Sequence, residues 1–207
     1  MPRTDGNNHV ARLAMKAMGV FGGVQMVGIV CSVVRTKLVA LWIGTVGVGL
    51  FGLYNNALEM LNIATNLGVR NSSVRDVSAA LAAGIVAVVR RWSVWLGLGG
   101  ATLTLALAPL LSRLTFGDDT HIWGFVALSV AVLLMALTNG EHAVLQGTGR
   151  LRRLASASLW GTLGGLAVSV PLFYVLRERS VLPSIVAYAA CNAVAAYALR
   201  NRDYRHT

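Results

Sequence analysis

Long apolar stretches, separated by short polar and basic segments, run along the whole chain. A helix needs roughly 20 residues to cross a 30 Å hydrocarbon core, and most of the apolar stretches have about this length. The first stretch is longer, and the glycines of IGTVGVG (43–49) divide it, because glycine weakens a helix. The pattern predicts an all-α integral membrane protein with six transmembrane helices, at about 17–42, 48–68, 92–112, 122–138, 156–176 and 182–199.

Two prolines and one polar segment add detail to this prediction. Pro109 lies near the end of the third span, and Pro183 lies in the first turn of the sixth, where a missing N–H costs little. Ser73 and Asp76 have the spacing of a capping box. We therefore expect an amphipathic surface helix within 71–91, and a single membrane bundle over 1–207.

Composition supports a membrane location and argues against nucleic acid as a partner. The chain of 207 residues is 56% hydrophobic and 13% charged, whereas about a quarter of the residues in soluble domains are charged. The formal charge of +10 does not form one basic face, as it would in a nucleic-acid-binding protein. The basic residues lie in short groups between apolar stretches, as in the cytoplasmic loops of membrane proteins.

Lysine and arginine also predict the orientation of the bundle. With six spans, thirteen of them fall on one side: Arg3, Arg12, Lys16, Arg70, Arg75, Arg90, Arg91, Arg150, Arg152, Arg153, Arg200, Arg202 and Arg205. The other side has Arg113, Arg177 and Arg179, with Arg35 and Lys37 if they count as its flank. The positive-inside rule then places both termini in the cytoplasm.

Polar residues within the first two spans are the candidate site. In span two they recur at steps of three and four residues and so share one helix face: Gly52, Asn55, Glu59, Asn62 and Asn66. Span one has a similar stripe of Gln25, Gly28, Ser32 and Arg35. Polar groups inside spans usually face the bundle interior or a watery cavity. Two such faces, one with an arginine and one with a glutamate, predict a hydrated pathway.

Simpler interpretations of these residues remain open. Glu59 and Arg35 can pair as a buried structural contact, or Arg35 and Lys37 can extend to the outer headgroups. We favour the headgroups for Lys37 and a cavity lining for the Asn–Glu–Asn stripe, because a packing interface rarely needs three amides and a carboxylate. Span six has a stripe of Ser184, Tyr188, Cys191 and Ala195, which we interpret as a packing face.

The sequence gives no sign of an enzyme. Glu141 and His142 lack a second ligand at HExxH spacing, and no GxSxG, Walker A or CxxC motif occurs. His121 is isolated in a loop and is expected to be solvated. Cys31 and Cys191 lie in apolar segments, where cysteine acts as a small hydrophobic residue. We therefore expect no catalytic residues, no cofactor and no metal site.

Three segments resemble bacterial oligosaccharide flippases of the polysaccharide transporter family, and among them the O-antigen and enterobacterial-common-antigen translocases. KLVALWIGTVGVGLFGLYN is similar to their junction of spans one and two, and NLGVRNSSVRDVS to the cytoplasmic exit from span two. QGTGRLRRLASASLWG is similar to their loop between spans four and five. The order and spacing of these segments carry the resemblance, which covers about 12–200.

The resemblance implies that the chain moves an undecaprenyl-pyrophosphate-linked oligosaccharide across the bacterial inner membrane. It further implies sugar contacts at Asn55, Asn62 and Asn66, with Gln25 on the same cavity. Arg35, at a position similar to a cavity arginine of lipid II flippases, would bind pyrophosphate, and Glu59 a coupling cation or proton.

Members of that family have two six-helix bundles, and this chain would supply the first. We expect it to be a fragment, or else to pair with a second copy. The alternatives are a drug or small-solute exporter of the same superfamily, and an unrelated membrane enzyme or structural subunit.

Overall fold

A computed structural model describes residues 4–65, 83–117, 119–147, 150–176 and 180–199. These ranges are helical almost throughout, which confirms the predicted all-α class. The helices are α1 (Thr4–Trp42), α2 (Gly44–Thr65), α3 (Ala83–Ala106), α4 (Ala108–Phe116), α5 (Ile122–Gly147), α6 (Leu151–Leu176) and α7 (Val181–Ala198).

The predicted break after the first span is confirmed at Ile43, which alone separates α1 from α2. Gly44 begins α2 with a φ of +85°, a backbone conformation that glycine adopts without steric cost. A side chain on Gly47, one turn later, would collide with Ile43. Glycine at these two positions therefore permits an abrupt reversal of the chain.

The third predicted span is wrong in shape. Instead of one helix over 92–112, α3 begins at Ala83 and meets α4 at a bend of 65°. Pro109 lies in the first turn of α4, where it needs no N–H partner but cannot continue the helix before it. Gly117, with a φ of +80°, ends α4 and donates its N–H to the carbonyl of Arg113 at 3.0 Å.

Two other boundaries differ because polar residues find partners inside the bundle. The fourth predicted span stops at Thr138, whereas α5 continues to Gly147. The polar side chains of Asn139 and Glu141, which lower the hydropathy there, are bonded to neighbouring helices. Residues 83–91, assigned to a surface helix, are continuous with α3. The rest of that helix, with its capping pair, lies outside the described residues.

Helix α5 lies at the centre of the bundle and packs against α2, α3, α4, α6 and α7. Phe125, Leu128, Val132, Val144 and Leu145, all on α5, are fully buried. Helix α6 packs mainly against α7 and α1. The side chains on the outer surface of the bundle are mostly apolar, including many large ones, as expected of a surface that faces hydrocarbon.

Four of the described helices are long and apolar enough to cross a membrane: Gly22–Trp42 of α1, and α5, α6 and α7. The bent pair of α3 and α4 makes a fifth if it counts as one span. Helix α2 has the length but is not among these candidates, and it contains three asparagines and a glutamate. Length and composition therefore give four or five spans, and the sixth stays a prediction.

Candidate ligand cavity

A cavity of about 400 Å³ lies between α1, α2, α6 and α7. Its polar lining residues are Ser32, Arg35, Thr36, Asn55, Asn56, Glu59 and Tyr188. The remainder of the wall is formed by Cys31, Val48, Phe51, Gly52 and Leu166. Polar residues from two adjacent helices thus meet at one cavity.

Arg35 is the buried cation of this cavity, with only 7% of its surface exposed. Its guanidinium carbon lies 4.7 Å from the ring centre of Phe51 on α2 and 4.6 Å from that of Tyr188 on α7. Nη2 donates a hydrogen bond to the carbonyl of Ser184 at 3.1 Å, whereas Nε has no hydrogen-bond partner. The two rings hold the cation by cation–π attraction, but they do not neutralise its charge.

Glu59 does not form an ion pair with Arg35, and among the described residues no carboxylate does. The interpretation of Arg35 and Glu59 as a buried pair is therefore wrong. So is the extension of Arg35 to the headgroups, because its guanidinium is enclosed by α2 and α7. Glu59 is exposed at the cavity, and Lys37, two residues beyond Arg35, is exposed as well. The cavity therefore combines an enclosed positive group with an accessible negative one.

The predicted site residues do not all meet. Arg35, Asn55 and Glu59 line the cavity, where the Asn55 amide donates to the carbonyl of Phe51 at 2.8 Å. Asn62 instead accepts a hydrogen bond of 3.0 Å from Asn139, so it joins α2 to α5. Gln25 is exposed on α1 and does not line the cavity. Asn66 lies outside the described residues.

Sequence reasoning missed the groups that hold Arg35. Tyr188 and Ser184 belong to the stripe interpreted as a packing face on α7, and Phe51 was not singled out. The interpretation as a packing face is partly right, because Tyr188 lies so close to Gly165 that a side chain at residue 165 would collide with the ring. Only the tertiary structure shows that Tyr188 also contacts a guanidinium, and periodicity gives no signal of such a contact.

A second arginine between helices is paired. Arg90 of α3 donates from Nη2 to Oε2 of Glu141 on α5 at 2.9 Å. Its Nε lies 2.8 Å from Oε1, although its N–H is poorly aligned with that oxygen. The Glu141–His142 dipeptide, considered above as half of a metal motif, thus supplies the carboxylate of an ion pair.

His121 lies in the turn before α5, as expected, but it is part of an aromatic cluster and not merely solvated. Its Nδ1 lies 2.9 Å from the hydroxyl of Tyr54, and its ring stacks on Phe116 at 4.1 Å. Phe125 packs against both Tyr54 and Phe116. The cluster joins α2, α4 and α5 at the end of the bundle where α1 turns into α2.

No group of three or more histidine, cysteine or acidic side chains within the described ranges is arranged to hold a metal ion. Comparison with protein-family models, with curated proteins and with solved structures finds no match to this chain. Any functional assignment therefore depends on the cavity itself.

Proposed function

We propose that this chain is a six-helix half of a flippase that moves an undecaprenyl-pyrophosphate-linked oligosaccharide across the bacterial inner membrane, with both termini cytoplasmic. The observation that carries this proposal is Arg35, which is enclosed between helices, has no carboxylate partner and borders a polar cavity. The second bundle of such a transporter would come from further chain or from a second copy.

The proposal requires α2 to be the sixth span, and the positions of its polar residues support this. Asn55 and Glu59 face the cavity, and Asn62 is bonded to α5. The residues that lower the hydropathy of α2 are therefore largely turned away from lipid. Met60 and Ile63, on the outside of α2, are exposed and apolar. A span that lines a wet cavity has this division of faces.

The chemistry of the cavity suits a lipid-linked sugar. A guanidinium that keeps its charge in a largely buried position attracts phosphate oxygens strongly and binds them through several N–H groups. Amides and hydroxyls, here Asn55, Asn56 and Ser32, are suitable partners for sugar hydroxyls. Outward movement of a negative headgroup runs with the membrane potential, which is worth about 2.3 kcal/mol per charge per 100 mV.

A drug or small-solute exporter is the second candidate, and the aromatic rings and the carboxylate at the cavity favour it. Phe51, Tyr188 and Glu59 are the kinds of group that bind an organic cation. However, both rings are already in contact with the guanidinium of Arg35. Because the positive charge of Arg35 at these rings would repel a cationic drug, we place the flippase first.

Surface glycan display tests the proposal. In a bacterium whose glycan export depends on this protein, we expect Arg35→Ala to lower display at least tenfold, because the headgroup loses its cation. Lys37→Ala, which removes an exposed neighbouring cation, is the matched control and should leave display unchanged. Normal display by Arg35→Ala at normal protein level would refute the proposal. Loss of drug resistance, with display intact, would instead support the exporter.

Thiol labelling tests whether the cavity is wet. In a Cys31→Ala/Cys191→Ala background, we expect Asn55→Cys and Glu59→Cys to react with a water-soluble maleimide. Met60→Cys is the control, because residue 60 is more exposed than residue 55 but faces outwards, where lipid would exclude the reagent. Equal labelling at 59 and 60 would show that α2 does not span the membrane.

A further inference from the structure

A second cavity, of about 510 Å³, lies between α3, α5 and α7 and takes no part in the proposed transport site. Its walls are mostly apolar, with Val94 from α3, Leu134 and Leu137 from α5, and Ala193 and Val194 from α7. Val194 is 67% exposed, so the cavity is a groove open to the outside of the bundle. The helices that form it include α5 and α7, which are apolar enough to span a membrane.

Charged and aromatic residues lie at one end of this groove. Arg90, Glu141 and Tyr197 line it there, and the first two form the ion pair described above. Arg91 is exposed and lies one helical turn before Val94, on the same side of α3. It has no carboxylate partner among the described residues. Arg91 does not line the groove itself, but because Glu141 balances Arg90, it leaves one net positive charge beside this end, the mouth of the groove.

Exposed aromatic residues indicate where the mouth of the groove lies relative to the membrane surface. Trp92 and Trp95, which border a surface depression together with Arg91, are 60% and 64% exposed, and Tyr197 is 61% exposed. Tryptophan and tyrosine concentrate where headgroups meet hydrocarbon. Basic pockets between transmembrane helices on the cytoplasmic side bind anionic headgroups. The groove therefore begins at headgroup level and continues into the hydrocarbon region.

We propose that the α3–α5–α7 groove binds one acyl chain of an anionic phospholipid, whose phosphate contacts Arg91. Charge decides the occupant: the interior of the groove is apolar and neutral overall, which suits a hydrocarbon chain, and the uncompensated cation Arg91 lies beside its mouth. The inference depends on the membrane location within the proposed function, but not on transport or on Arg35.

Quenching of Trp92 and Trp95 by brominated lipid tests the site. Phe is substituted for Trp42, Trp123 and Trp160 in the full chain, which is then reconstituted in phosphatidylcholine vesicles with brominated phosphatidylglycerol or brominated phosphatidylcholine. We expect the anionic lipid to be preferred about fivefold at these tryptophans, the ratio that one basic residue near a membrane surface provides. Arg91→Gln should reduce the preference to about one.

Two further variants distinguish the contribution of the lipid headgroup from that of the acyl chain. Arg152→Gln removes an exposed arginine from α6 at the same end of the bundle and should leave the preference unchanged. Ala193→Phe fills the groove and should abolish the preference while Arg91 is retained, with the thermal unfolding temperature as a check on folding. Equal quenching by the two lipids in the parent chain would overturn the proposal, as would a preference that survives Arg91→Gln. Displacement of phosphatidylglycerol by a tenfold lower amount of undecaprenyl phosphate would also overturn it, since the groove would then belong to the transported lipid.

Discussion

Arg35 and Arg90 are both held between helices, but only Arg90 has a carboxylate partner. Arg90 joins α3 to α5 through Glu141, and the exposed fractions of the two side chains are 20% and 12%. Arg35 is enclosed by Phe51 and Tyr188 and donates one hydrogen bond, to a backbone carbonyl. One cation is neutralised by the protein, and the other keeps its charge beside a cavity.

Under the proposed function, the difference separates a structural role from a binding role. Removing one partner of a buried ion pair leaves an uncompensated charge, and this is strongly destabilising. Arg35 is already uncompensated, so the fold bears that cost in the native protein. A charge kept in this way does little for stability, which is why we propose a binding role for it. Three substitutions, from the largest expected effect to the smallest, test this comparison.

Replacing Glu141 should have the largest effect. We expect Glu141→Gln to lower the free energy of unfolding by about 3 kcal/mol, because the charge of Arg90 is left without a counter-ion between α3 and α5. Thermal unfolding in detergent micelles, followed by circular dichroism, measures the change. The double variant Arg90→Met/Glu141→Leu should recover most of the loss. If the Glu141→Gln protein is as stable as the parent, the ion pair has no structural role.

Replacing Arg35 should cost much less stability. Arg35→Met removes two cation–π contacts and one hydrogen bond, but it also removes an unpaired charge from the protein interior. We expect a net loss of about 1 kcal/mol, because the cation–π attraction that is lost, about 2 kcal/mol when desolvated, is partly offset by removal of the unpaired charge. The same unfolding assay provides the comparison with Glu141→Gln. If Arg35→Met is the more destabilising of the two, the contrast between the arginines is wrong.

The exposed pair of Arg113 and Asp119 should have the smallest effect. The guanidinium donates two hydrogen bonds of 2.7 Å and holds the pKa of the Asp119 carboxyl below its usual value. A lowered pKa stabilises the fold above the ordinary pKa, and this contribution is lost as the pH falls through the lowered value. Both side chains are exposed, so water screens the pair.

We therefore expect Asp119→Asn to leave the unfolding temperature unchanged, within replicate scatter, at both pH 7 and pH 3. A clear loss of stability at pH 7 that disappears at pH 3 would show that the pair contributes despite its exposure. Unfolding scans of the parent and the variant, run side by side at the two pH values, make this comparison.

The hydropathy pattern and the glycine positions predicted much of the fold. The predictions failed where the structure depends on contacts between helices. The reversal at Ile43 was predicted because its cause, the backbone freedom of Gly44, is local. The extent of α5 was not predicted, because Asn139 and Glu141 look unfavourable in lipid until their partners on α2 and α3 are known. The bend before α4 was missed because Pro109 was placed near the end of a helix rather than in the first turn of the next.

The candidate site was predictable only in part, for the same reason. Arg35, Asn55 and Glu59 could be singled out because polar groups at helical spacing within apolar segments are unusual. That Asn62, on the same predicted stripe, is bonded to Asn139 depends on where α5 lies. The enclosure of Arg35 by Tyr188 depends on a contact between residues more than 150 positions apart in the chain.

The connection through Ile43 has a mechanical consequence for the cavity beside it. Helices α1 and α2 are connected at one end by a single residue, so they can separate only by a change in the angle between their axes. Near Ile43 such a change moves the two helices apart very little, whereas at the Glu59 end a small change of angle opens a wide gap. Under the proposed function, a bulky headgroup would therefore enter this cavity from the Glu59 end and meet Arg35 closer to Ile43.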